Sequence, residues 1–223
     1  MRMMAVFAKG ERLRHIGHLD IQRAVQRALR RSGLPVAYSK GFNPHILVSF
    51  ASALSTGAAG ERELMDVTLE KEVSPEAFLQ AMNRAMPPQM QLCEARLLDD
   101  RHPALTQLVT AAAYDIRVLE PEAAARMAAA VPGYLAQEQI MAMRKTKSGE
   151  KECDCRPLIL SLAAEGDTLR CVLVLTERES CKPNMLVTTL AAFAGVEAPR
   201  VMVTRRQLLG AGEGGALVGV ETL

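Results

Sequence analysis

Hydrophobic periodicity switches between two and about 3.6 residues in a fixed order along this chain, and that order limits the folds open to it. Residues 3–8 read as a short strand, and residues 20–32 as an amphipathic helix, with Asp20 as N-cap and Gly33 as stop signal. Extended stretches follow at 36–39 and 46–51. Residues 63–70 then alternate Leu64, Asp66, Thr68 against Met65, Val67, Leu69. Ser74-Pro75-Glu76 opens a second helix with an N-cap and Pro at the first helical position, and residues 90–98 close the segment as a strand. Strand, helix, two strands, helix, strand is the split βαβ pattern, and it recurs. Residues 114–119 form a strand, 121–136 a helix, 159–162 and 169–176 a hairpin, 184–194 a helix and 201–209 a strand. The expectation is an α+β protein of two tandem ferredoxin-like domains, 1–102 and 103–210, followed by a flexible tail at 211–223. The glycines at 210, 212, 214 and 215 imitate a dinucleotide-binding turn, but too few residues follow to complete a βαβ unit.

Charge is concentrated rather than spread. The first fifty residues hold nine basic side chains (Arg2, Lys9, Arg12, Arg14, Arg23, Arg27, Arg30, Arg31, Lys40) against Glu11 and Asp20, whereas the whole chain of 223 residues carries only +2. On the first helix Ile21, Val25, Ala28 and Leu29 share one face, and Arg23, Arg27, Arg30 and Arg31 fall on the opposite side. One face is core and the other a cationic ridge suited to a polyanion, whose phosphates release counterions when neutralised. Aromatic residues make up only 4%, without Trp, so electrostatics and backbone contacts carry most of any such affinity. A second basic run, Arg144-Lys145-Thr146-Lys147-Ser148-Gly149-Glu150-Lys151, reads as a mobile loop or a further phosphate contact.

Three of the four histidines lie in the same basic segment: His15, His18 and His45. The i, i+3 pair allows four uses: metal ligation with His45 or Asp20, acid–base cleavage of RNA, hydrogen bonding to phosphate, or bracing of the helix. The bend Lys40-Gly41-Phe42-Asn43-Pro44 offers amides to an anion or simply turns a hairpin. Five cysteines without framework spacing suit a reducing compartment and free thiols, and no iron–sulfur spacing occurs. Glu63 and Asp66 fall on opposite strand faces and make no carboxylate dyad. No apolar run reaches the roughly 18–20 residues of a bilayer span, and the expected location is the cytoplasm, with no membrane partner.

From Arg14-His15-Ile16-Gly17-His18-Leu19-Asp20 through Arg27-Ala28-Leu29-Arg30-Arg31-Ser32-Gly33-Leu34-Pro35-Val36-Ala37-Tyr38-Ser39-Lys40-Gly41-Phe42-Asn43-Pro44-His45, the sequence resembles the bacterial radical SAM-linked protein family. Looser similarity continues through Glu63-Leu64-Met65-Asp66, Lys145-Thr146-Lys147-Ser148-Gly149 and Val203-Thr204-Arg205-Arg206. Gly17 departs from the Ser expected there. The resemblance implies association with a cobalamin-binding radical SAM protein. The paired ferredoxin-like order is also similar to CRISPR repeat endoribonucleases. The leading expectation is therefore an RNA-binding or substrate-presenting accessory protein acting with a radical SAM enzyme on RNA or a ribosome-associated target. It would hold no metal or cofactor of its own and have no independent catalysis. Arg14, Arg23, Arg27, Arg30 and Arg31 would meet phosphates, Lys40, Gly41 and Asn43 an anion, and His15, His18 and His45 would donate local hydrogen bonds. The rivals are a metal-independent endoribonuclease using His15 or His18, and a scaffold docking the radical SAM partner through the arginine face.

Overall fold

A computed structural model describes residues 1–99, 101–146 and 149–223, without the side chains of Lys145 and Thr146. The chain is a mixed α/β protein, with five α-helices and mostly antiparallel strands among the described residues. It divides into unit 1, Met1–Val109 with Gln207–Leu223, and unit 2, Thr110–Arg206.

Unit 1 runs β1 (Arg2–Lys9), α1 (His18–Arg31), β2 (Val48–Phe50), β3 (Ala58–Thr68), α2 (Pro75–Ala85), β4 (Leu92–Leu98) and the short α3 (Leu105–Leu108). The central strand β1 pairs antiparallel with β4 on one side and β3 on the other, and β2 pairs antiparallel with β3. Alternation decides which face is covered by helices. Met3, Ala5 and Phe7 of β1 and Met65 and Val67 of β3 pack with Ile21, Val25, Ala28 and Leu29 of α1 and Phe78 and Met82 of α2. The helix face expected to be apolar from its i, i+4, i+7, i+8 spacing is the buried one. Helix α2 begins as its Ser-Pro-Glu signal predicts: the Ser74 hydroxyl accepts from the Ala77 amide at 3.2 Å, and Pro75 occupies the first turn.

Unit 2 contains β5 (Ala111–Val118), α4 (Pro121–Leu135), β6 (Met141–Thr146), β7 (Gly149–Asp154), β8 (Ile159–Glu165), β9 (Thr168–Val174), α5 (Pro183–Phe193) and the first part of β10 (Val201–Ala211). The order β5-β9-β8 is antiparallel throughout. Along β5, Leu119 donates to the Arg200 carbonyl at 3.0 Å, and the Arg117 guanidinium reaches Met202 Sδ at 2.9 Å. Tyr134 and Phe193 join α4 to α5 edge-to-face at 5.8 Å, and the Tyr134 hydroxyl lies 2.7 Å from that of Thr189.

Three expectations are revised. The division falls at Val109, not at residue 102, and the chain returns to unit 1 after Arg206. Residues 211–223 are not a flexible tail: β11 (Leu217–Gly219) pairs with β10, Val220 is fully buried, and the Glu221 carboxylate receives Arg62 Nε at 2.8 Å and Gln207 Nε2 at 2.6 Å. The basic run at 144–151 is strand on both sides, because β6 and β7 satisfy each other's backbone as a two-stranded ribbon. Lys147 and Ser148 lie outside the described residues. No helix among the described residues is long and apolar enough to cross a membrane.

Phe78 is wholly buried at the centre of the unit 1 core. Phe78→Ala is expected to lower unfolding free energy by about 3–5 kcal/mol, read from the shift of a urea denaturation midpoint.

Candidate nucleic-acid interface

The histidine motif starts where β1 leaves the sheet. Lys9 is only 2% exposed, and its ammonium donates to the Arg14 carbonyl at 3.1 Å, an oxygen that also accepts from the Gly57 amide at 2.7 Å. Between them lies one turn of 3-10 helix, Glu11–Leu13. The Arg14 guanidinium is partly exposed and reaches back to the Glu11 carbonyl at 3.4 Å. His15 is exposed in the same turn.

Helix α1 starts at His18 with Gly17 as its N-cap, three residues before the Asp20 cap expected, so Asp20 sits inside the first turn. Gly17 is extended (φ −71°, ψ 160°) and caps nothing with a side chain. A Cβ there would meet Asp20 and Thr56 at 3.8 and 3.9 Å, ordinary contact distances. The Ser expected at this place is therefore a helix cap that this chain lacks.

His18 is half-buried on the core side of α1, its ring edge-to-face with Phe50 at 5.4 Å, and Phe50 meets Phe7 at 5.9 Å. The arginines point the other way. Arg23 pairs with Asp20 at 3.0 Å across an exposed helix turn, a contact worth little in water. Arg31 donates to the Ala85 carbonyl at 2.7 Å, at the end of α2 where a cation is favoured. Arg27 and Arg30 are exposed, and among the described residues neither has a carboxylate partner.

The third histidine closes a separate loop. The Ser39 amide donates to the His45 carbonyl at 2.8 Å, and the His45 amide donates to Ser39 Oγ at 3.1 Å. Ser39 Oγ also lies 2.8 Å from His45 Nδ1. Gly41 takes φ +130°, a conformation that favours glycine. Phe42 at the tip is entirely exposed, and Lys40 and Asn43 are exposed beside it. Five residues of mostly extended chain separate His45 from Phe50, about 16 Å at 3.3 Å per residue.

His15 and His18 thus belong to the start of α1, and His45 to the loop that leads into β2. No metal-holding cluster of three His, Cys, Asp or Glu occurs among the described residues. Glu63 and Asp66 do fall on opposite faces, opposite Phe7 and Met4 of β1, and both are buried.

Sequence reasoning missed two groupings. Lys9 and Asp66 are buried charges inside apolar strands, signalled only by a polar residue at a core-type position. In unit 2, the Cys155 thiol lies beside Cys181 and Cys153, and its interaction with Cys181, together with burial, drives it far above the usual thiol range. Burial pushes Cys171 up to about 12. Thiols held protonated in this way are poor nucleophiles at neutral pH.

The family model described as "Uncharacterized protein conserved in bacteria (DUF2344)" matches residues 2–185, and the chain belongs to that family. No curated protein matches it.

Two measurements separate the residues of the motif. Gly17→Ser is expected to raise stability by about 0.5 kcal/mol by capping α1, seen as a higher urea midpoint. His18→Ala is expected to cost about 1–2 kcal/mol through the lost contact with Phe50, whereas His15→Ala changes stability by less than about 0.5 kcal/mol.

Proposed function

We propose that the protein is an RNA-binding or substrate-presenting accessory factor acting with a cobalamin-type radical SAM enzyme. One observation carries the RNA half of the reading: Arg23, Arg27 and Arg30, at i, i+4 and i+7, form a solvent-facing stripe on α1 directly opposite its buried face. The Lys40–Gly41–Phe42–Asn43 loop adds an exposed cation and an exposed ring, and among the described residues these four have no hydrogen-bond partner. The radical SAM half is supported by the likeness of the motif between Arg14 and His45 alone. A ferredoxin-like reading of each unit is supported by the strand order β4-β1-β3-β2 in unit 1 and β5-β9-β8 in unit 2. His18 packs on Phe50 and His45 is tied to Ser39, engagements that favour a binding or bracing role for the imidazoles over an acid–base pair.

Filter binding of total tRNA and rRNA across a salt series tests the reading. Affinity is expected to fall as salt rises. Arg27→Glu with Arg30→Glu should weaken binding at least tenfold at low salt and reduce the log–log salt slope by about 1.4, two phosphate contacts at 0.7 each. Binding that is absent, or indifferent to both salt and the double charge reversal, rejects it.

A further inference from the structure

Strand β4 ends the unit 1 sheet: it pairs with β1 and with no other strand among the described residues. Alternation along β1 decides which of its backbone groups stay free. The Met1 carbonyl faces β3, where it accepts from the Leu69 amide at 2.9 Å, and the Ala8 amide faces β4, where it donates to the Gln91 carbonyl at 3.0 Å. Arg2, Met4 and Val6 therefore bond toward β4, and their direct partners Leu98, Arg96 and Glu94 bond back. That leaves Ala95 and Leu97 turning their N–H and C=O groups outward. At Leu92 the edge is already closed, because the Asn83 side chain of α2 accepts from the Leu92 amide at 2.7 Å and donates to its carbonyl at 2.9 Å. The open length is 93–97, and it reaches solvent: Cys93, Glu94 and Leu97 are exposed, and Ala95 and Arg96 half-buried.

An open strand edge is a template for another strand. The side chains of β4 select which one. Glu94 and Arg96 stand opposite Val6 and Met4, on the face away from α2. The Glu94 side chain is 51% exposed and meets Arg62 at 2.8 Å. Arg96 has no ion pair among the described residues, and its Nε and Nη2 are covered and unbonded, which leaves Nη1 as the end open to a carboxylate from outside. A negative and a positive side chain spaced i, i+2 are complementary to the same strand read backwards, the condition for pairing about a two-fold axis.

Two copies of β4 laid antiparallel about an axis at Ala95 set Glu94 of each chain opposite the partner's Arg96. In that register the outward groups of Ala95 bond those of the partner's Ala95. The charged residues then form the closer, non-hydrogen-bonded pairs, with Cα atoms about 4.5 Å apart. A slip of one residue is penalised: an axis at Arg96 sets guanidinium on guanidinium, and an axis at Glu94 sets carboxylate on carboxylate.

We infer that the β4 edge is a self-association surface, through which a second copy of this chain extends the unit 1 sheet in the register that pairs Glu94 with the partner's Arg96. The surface is independent of the RNA-binding reading and uses none of the arginines of α1.

Sedimentation velocity of the full-length chain, from low micromolar to near-millimolar concentration, tests it. A species of twice the 24.2 kDa chain mass is expected to grow with concentration and to fade as salt rises. Glu94→Arg and Arg96→Glu each set like charges opposite one another at both pairs, and each is expected to raise the dissociation constant about tenfold. The double exchange, Glu94→Arg with Arg96→Glu, is expected to return it to within about threefold of the unaltered chain, even though Arg62 then lacks Glu94. Ala95→Pro removes an outward amide that β1 does not use, so the circular-dichroism spectrum is expected to stay unchanged while the dissociation constant rises about tenfold. A chain that stays monomeric throughout the series overturns the inference. So does a dimer indifferent to the single charge reversals, or one that the double exchange fails to restore.

Discussion

The buried ammonium of Lys9 fixes the geometry on which the rest of unit 1 depends. An unpaired charge inside a protein costs several kcal/mol, so a lysine 2% exposed at the end of β1 must be met by acceptors, and the Arg14 carbonyl is one of them. Gly57, just before β3, donates to that same oxygen. One carbonyl therefore ties the end of the first strand, the turn after it and the start of the third. With the turn fixed, α1 begins at His18 in a set rotational phase, which points Ile21, Val25, Ala28 and Leu29 into the core and leaves the arginines no side to occupy but the outer one. The cationic stripe is a consequence of the buried face, not an independent feature.

That stripe is smaller than the charge count of the first fifty residues suggests. Arg2 is spent on Asp66, Lys9 is internal, Arg31 serves the C-terminal end of α2, and Arg23 is shared with Asp20. Arg12, Arg27, Arg30 and Lys40 are the exposed cations of that segment without a side-chain partner among the described residues, and Arg14 is partly exposed. Few phosphate contacts mean a modest salt slope and weak non-specific affinity.

Local signals were legible in the sequence and distant ones were not. The arginine helix and the Ser74 cap could be read because periodicity and capping involve residues within a few positions of one another. The role of His18 could not, since its ring partner, Phe50, is brought to it only by the pairing of β2 with β3. Glu221 looked like part of a loose glycine-rich tail because its partner, Arg62, is 159 residues away. The β6–β7 ribbon escaped because its charged residues carry no apolar alternation, and what holds it is backbone pairing. Asp66 was judged only as half of a carboxylate dyad. Its burial, its Arg2 partner and its unpaired oxygen depend on β1, β2 and the 102–103 segment together.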